Sequence, residues 1–98
     1  MMVIVFRSRA RAGVEEELGK VGTRMYALAT AMPGFISYKD YQAEDGENVS
    51  IVEFDTPEHL EAWRDHPEHR AAQARARESL FVEYRVQVCS LVRQSEFK

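Results

Sequence analysis

Val3-Ile4-Val5-Phe6 is an unbroken apolar run in a chain of 98 residues. Side chains along a β-strand point alternately to the two faces of a sheet, so this run offers apolar groups to both faces. It therefore predicts a central strand, and it predicts that both faces of the sheet are covered.

The next segment carries a helical pattern. Apolar residues recur at spacings of three and four from Val14 to Met32, which predicts an amphipathic helix that ends at Pro33-Gly34. Two strands are then predicted, from Phe35 to Tyr41 and from Asn48 to Phe54, with a tight turn containing Asp-Gly between them.

The second half of the chain predicts a broken helix and a last strand. Thr56-Pro57 is a favourable helix start, and Pro67 should break this helix and restart it for a second part that ends near Ser79. From Leu80 onward apolar and polar residues alternate, which predicts a long strand with one apolar face, formed by Val82, Tyr84, Val86 and Val88.

This order of elements predicts one α+β domain over residues 1–98. It is the ferredoxin-like βαββαβ arrangement, an antiparallel sheet with two helices on one face. The other face would then expose the apolar groups of the first strand in a monomer, so we expect a partner subunit, and hence a homodimer.

Composition excludes several classes of partner. The formal net charge of -3 gives no basic surface for nucleic acid. The first apolar run stops at Arg7, too early for a signal segment or a membrane span, so we expect a cytoplasmic protein without membrane contact. Cys89 is the single cysteine and lies in an apolar stretch, which predicts a small buried side chain.

Four short segments together resemble the antibiotic biosynthesis monooxygenase family, and the similarity covers nearly the whole chain. They are Pro33-Gly34-Phe35, Glu53-Phe54, the stretch from Thr56 to Trp63, and His66-Pro67-Glu68-His69. The resemblance implies that two sheets pack face to face as a dimeric α/β barrel. It also implies a pocket between helix and sheet, lined by the helix that carries Trp63.

The family resemblance leaves the function open among three classes. The first is a cofactor-independent monooxygenase acting on a planar phenol, quinol or polyketide-like substrate, with a small aromatic molecule as ligand. The second is a non-catalytic ligand-binding or stress-response module, and the third is a heme-binding or heme-degrading protein. Heme-degrading members use an asparagine, a tryptophan and a histidine; Trp63 matches, but Arg7 and Gln73 stand at or near the other two positions.

Candidate ligand-binding residues are aromatic or cationic. Trp63, Phe6 and Tyr38 are expected to line a pocket for a planar substrate, although Trp63 has an equally good alternative as a core residue. Arg7 lies at the end of the first strand and would attract an enolate or a carboxylate. No phosphate-binding glycine loop, serine-hydrolase elbow or cysteine pair is present, so we expect no cofactor.

Candidate catalytic residues are two histidines and one acid. His66 or His69 would serve as a general base, because imidazole titrates near neutrality. The alternative for His69 is structural, a bond from its ring to the backbone at the helix break. Glu53 would become a useful base if its strand buries it. Pro67 interrupts the spacing between the two histidines, so we expect no metal site.

Overall fold

The computed structural model describes residues 1–98 and has the predicted order of elements. The strands are β1 (Met2–Ala10), β2 (Phe35–Gln42), β3 (Asn48–Phe54) and β4 (Phe81–Ser90). The helices are α1 (Glu15–Thr30), α2 (Pro57–Arg64) and α3 (Pro67–Arg75), and α3 continues into a π-helical turn, Ala76–Leu80. The break expected at Pro67 separates α2 from α3. No helix is long and apolar enough to cross a membrane.

β1 lies in the centre of the sheet, as its apolar run predicts. The strand order is β2-β3-β1-β4, and every neighbouring pair is antiparallel. Residues that pair across antiparallel strands point to the same face. Ile4 is opposite Val52, and both are buried beneath the helices, whereas Val5 is opposite Ile51 on the other face.

The helix layer encloses two apolar clusters on one face of the sheet. The larger one contains Ile4, Met25, Leu28, Ala29, Val52, Phe54, Leu60 and Trp63. The smaller one, at the β4 side, contains Ala76, Leu80 and Phe81, with Phe6 and Tyr84 packed against it. Two ion pairs, Arg24–Glu68 and Arg75–Glu17, fasten α1 to α3 across the outside of this layer.

The turn between α1 and β2 requires glycine for two reasons. Gly34 has a φ of +81°, a backbone conformation that side chains with a Cβ disfavour. A Cβ at this position would also overlap Nδ1 of His59 and the carboxylate of Asp55. Asp55 and His59 are themselves bonded at 2.7 Å, and the Asp55 amide donates to the Gly34 carbonyl at 2.9 Å.

No element of the chain covers the second face of the sheet. Four half-buried apolar side chains occupy its centre: Val3, Val5, Val49 and Ile51. We call this surface the open face. Ion pairs flank its centre, with Arg7 bonded to Glu47 and Arg9 bonded to Asp45.

β4 has the predicted apolar face, formed by Val82, Tyr84, Val86 and Val88, but the expectation that Cys89 is buried was wrong. Val86 and Val88 pair with Phe6 and Ile4 and so point toward the helix layer, but they remain 48% and 53% exposed. The reason is that β4 is an edge strand of which only the start, at Phe81 and Tyr84, packs against the π-helical turn. Cys89 is exposed rather than buried, because it pairs with Val3 on the open face at that same edge.

Replacement of Gly34 by alanine should destabilise the domain more than replacement of Gly13. Gly13 also has a positive φ, +84°, but nothing lies within 4 Å of the point that a Cβ would occupy there. Gly13→Ala therefore carries only the backbone cost, about 1–2 kcal/mol. Gly34→Ala adds a steric overlap with His59 and Asp55, worth roughly another 1–3 kcal/mol. Urea unfolding of both variants measures the difference, and equal losses would contradict the steric argument.

Candidate functional site

An aromatic group beneath α2 and α3 holds three of the sequence-predicted site residues. Trp63 is stacked on the ring of His69, with centroids 4.2 Å apart and planes 16° from parallel. The Tyr38 ring lies 6.4 Å from Trp63, in an edge-on arrangement. We call Trp63, His69 and Tyr38 the tryptophan cluster. Phe54 of β3 supports it, 5.6 Å from Trp63.

Local sequence explains why these side chains meet. The Thr56 side chain accepts a hydrogen bond from the His59 amide at 3.2 Å and begins α2, whose buried residues are Leu60 and Trp63. Residues three apart share a helix face, so both point to the sheet. His66 then caps α3, its Nδ1 accepting from the Glu68 amide at 3.1 Å. This cap turns the chain so that His69 comes back over Trp63.

The indole nitrogen of Trp63 has no hydrogen-bond partner. The residue is 5% exposed, and its Nε1–H meets no acceptor in the protein. Leaving a buried donor unpaired costs about 1–3 kcal/mol, so native proteins seldom do it without a reason. A ligand with an acceptor oxygen would satisfy this group. The Ser79 hydroxyl, in the π-helical turn, is the other buried side-chain group without a partner.

The His69 ring is held in its neutral form, which is the form that can accept a proton. Its Nδ1 lies 3.2 Å from the Trp63 carbonyl oxygen. A carbonyl can only accept, so Nδ1 carries the hydrogen and Nε2 of the neutral ring has the lone pair. Burial lowers the pKa of His69 from its ordinary value, which keeps the ring neutral near pH 7. The backbone bond at the helix break, expected as the structural alternative, is therefore present, and it leaves Nε2 able to accept a proton.

Tyr38 remains a neutral phenol. Burial raises its pKa to about 12, and the nearby charge of Asp40 acts in the same direction, while a hydrogen bond with Ser50 opposes them. Asp40 and Ser50 face each other across β2 and β3. Sequence analysis missed both residues. The period of two in a strand places Asp40 on the same face as Tyr38, and this was the available signal.

The remaining predicted site residues lie elsewhere. Phe6 belongs to the smaller apolar cluster, 5.6 Å from Phe81, and not to the tryptophan cluster. Arg7 and Glu53 lie on the open face, Arg7 paired with Glu47 at 3.2 Å and Glu53 hydrogen-bonded by Ser37. The sheet therefore separates them from Trp63 within one subunit.

The geometry gives little for a heme or metal site. Arg7, expected at or next to the asparagine position of heme-degrading family members, lies on the open face, and Gln73 is half-buried on α3. His66 uses its Nδ1 to cap α3. No three His, Cys, Asp or Glu side chains come together in an arrangement that could hold a metal ion.

Comparisons with known proteins agree with the fold. The family model for antibiotic biosynthesis monooxygenases matches residues 1–75. YqjZ of Bacillus subtilis strain 168 is 31% identical over 80 residues, which are 82% of this chain and 70% of YqjZ. Rv0793 from Mycobacterium tuberculosis has a TM-score of 0.84 at 22% identity, covering 97% of this chain and 98% of Rv0793. SnoaB from Streptomyces nogalater, a cofactor-independent oxygenase, has a TM-score of 0.79 at 19% identity, covering 96% of this chain and 94% of SnoaB.

The lowered pKa of His69 predicts a loss of stability in mild acid. Below its ordinary value of 6.5, the unfolded chain takes up a proton that the folded chain resists. The free energy of unfolding should therefore fall as the pH decreases from 6.5 toward about 5, above the range in which carboxylates titrate. His69→Gln should remove this slope, and His59→Gln should retain it. Urea titrations at several pH values measure both, and a wild-type slope in His69→Gln would contradict the assignment.

Proposed function

This chain belongs to the antibiotic biosynthesis monooxygenase family, and from that premise we propose that it is a cofactor-independent monooxygenase of a planar phenol, quinol or polyketide-like substrate. One observation carries the proposal. An unpartnered donor, Nε1–H of Trp63, lies beside a neutral base, His69, in a stacked pair of rings. The fold shared with SnoaB, a cofactor-independent oxygenase, supports the same reaction class.

The two polar groups suit an aromatic hydroxyketone. A substrate carbonyl would accept from Nε1–H of Trp63, and a substrate hydroxyl would donate to Nε2 of His69. Both groups belong to stacked rings whose centroids are 4.2 Å apart, and the proposal places two oxygen atoms of one ligand against them. Tyr38, whose ring lies 6.4 Å from Trp63, stays uncharged and so does not repel an anionic substrate.

The chemistry then needs only a base and dioxygen. His69 removes a proton from the substrate, and the Trp63 donor stabilises the oxyanion that results. The electron-rich carbanion form of the substrate reacts with dioxygen. One oxygen atom enters the substrate and the other leaves as water, with the substrate supplying the electrons. Because burial keeps His69 neutral, the base is ready at physiological pH.

We also propose that the protein works as a homodimer in the cytoplasm. A second subunit packed on the open face would cover Val3, Val5, Val49 and Ile51, which no element of the chain covers. It would also bring the Arg7–Glu47 pair and Glu53 of each subunit into the interface. A reducing compartment suits the exposed, unpaired thiol of Cys89.

A ligand-binding module without catalysis is the second candidate. The bond from His69 to the Trp63 carbonyl favours it, because this bond gives the histidine a structural role that needs no proton transfer. In that case Trp63 and Tyr38 would hold an aromatic molecule, and His69 would only order the site. A variant without the His69 base distinguishes the two functions, because only the oxygenase needs proton transfer.

Removal of the base should abolish oxidation and leave binding intact. We expect His69→Phe to lower kcat by about 10²–10⁴-fold, the usual contribution of a general base, while a hydroxyanthrone probe still binds. His59→Gln is the matched control, because His59 lies at the start of α2 and bonds Asp55 instead. Oxygen uptake and probe fluorescence give the two measurements. Probe binding without oxygen uptake by the wild type would favour the binding module.

A charge on the open face should dissociate the dimer. The wild type is expected to sediment at twice the subunit mass of 11.3 kDa. Val5→Asp places a carboxylate at the centre of the open face and should give monomers. Val86→Asp adds the same charge on an exposed β4 side chain directed to the helix side, and should leave the dimer intact. A wild type that sediments only as a monomer at micromolar concentration would contradict the proposal.

A further inference from the structure

Three oxidisable rings form a line from the core to the surface. Trp63 is buried, Tyr38 lies 6.4 Å from it, and Tyr26 lies 5.5 Å beyond Tyr38. Tyr26 is on α1 and is 50% exposed. Indole and phenol rings lose one electron more readily than the other aromatic side chains do. Phe54 is also near Trp63, but its unsubstituted benzene ring is much harder to oxidise, so it does not extend the line.

We propose that Trp63, Tyr38 and Tyr26 form a relay that carries one-electron oxidising equivalents from the core to the protein surface. The relay would remove a radical formed near Trp63 before it damages the site. It does not depend on the substrate or on the monooxygenase reaction, because it requires only that Trp63 be oxidised.

Tyr38 has a route for the proton that it must release. A phenol loses its proton when it loses an electron, so a buried tyrosine needs an acceptor. Ser50 and Asp40 lie on the same sheet face as Tyr38, the Ser50 hydroxyl lowers the pKa of Tyr38, and this hydroxyl donates to Oδ1 of Asp40 at 2.5 Å. Asp40 is exposed. The proton of Tyr38 can therefore pass to Ser50 while Ser50 passes its own to the carboxylate.

The surroundings of Trp63 favour transfer over retention of the radical. Its Nε1–H has no acceptor, so the oxidised indole cannot readily lose its proton and remains a strongly oxidising cation. The stacked His69 ring is neutral and does not add a second positive charge. The nearest oxidisable ring is then Tyr38, whose proton route lets it supply the electron.

The complete cycle balances with a radical oxidant and a surface reductant. A peroxyl radical takes one electron from Trp63 and one proton from water and becomes a hydroperoxide. Tyr38 reduces Trp63 and passes its proton through Ser50 to Asp40. Tyr26 then reduces Tyr38, which regains its proton by the same route, and Tyr26 releases its own proton to water. A thiol or ascorbate finally gives a hydrogen atom to Tyr26.

Flash photolysis of the intact protein without substrate tests the relay. Trp63 is the single tryptophan, so a flash at the red edge of indole absorption ionises only this site, with cobalt(III) hexaammine accepting the ejected electron. In the wild type the tryptophan radical should decay as a tyrosyl radical rises. In Tyr38→Phe it should persist roughly tenfold longer or more, which corresponds to a barrier raised by about 1.4 kcal/mol. Tyr41→Phe, on an exposed residue of the same strand, should behave as wild type.

Two further variants test the later steps. Tyr26→Phe should form a tyrosyl radical at the normal rate, but ascorbate should quench it more slowly, because the radical stays at Tyr38, which is less exposed than Tyr26. Asp40→Asn should slow the rise of the tyrosyl radical and change its solvent isotope effect. Circular dichroism verifies that each variant is folded. A folded Tyr38→Phe variant with the wild-type lifetime of the Trp63 radical would overturn the relay, and so would an equal delay in Tyr41→Phe.

Discussion

The two-sided apolar character of β1 determines how the rest of the molecule is arranged. With Ile4 buried against the helices and Val5 directed to the opposite face, the strand lies inside the sheet and gives both sheet faces apolar groups. The helix layer provides one cover. It is fixed on that face by the larger apolar cluster, and Trp63 is part of that cluster. The candidate site is therefore built into the same packing that holds the domain together.

The helix break at Pro67 places a titratable side chain, His69, against this packed cluster. An uninterrupted helix would have continued away from Trp63, whereas the turn capped by His66 places His69 directly on the indole ring. Burial of the imidazole then favours its uncharged form, and the Trp63 carbonyl selects the nitrogen that keeps its hydrogen. Geometry and protonation state thus follow from one local feature of the backbone.

Periodicity was sufficient to predict the fold but only part of the site. The helical and strand patterns predicted the order of elements, and the prolines predicted the split of the second helix. Phe6 and Tyr38 both point to the helix layer, but Phe6 packs against Phe81 in the smaller cluster, so only Tyr38 reaches Trp63. The face of Glu53 could not be read from the sequence, because the apolar residues of β3 point to both faces. The exposure of Cys89 depends on the edge position of β4, which only the strand order reveals.

The π-helical turn at Ala76–Leu80 has a consequence for how this chain can change in evolution. A π turn closes an i→i+5 hydrogen bond, so it holds one residue more than an α-helical turn. On one side α3 is fastened to α1 by Arg24–Glu68 and Arg75–Glu17, and on the other side β4 is fixed by its register with β1. A gain or loss of one residue between these anchors can be absorbed locally. We therefore expect homologues to differ in length at this turn. Such a difference would change the packing around Ser79 and leave the strand pairing of the sheet unchanged.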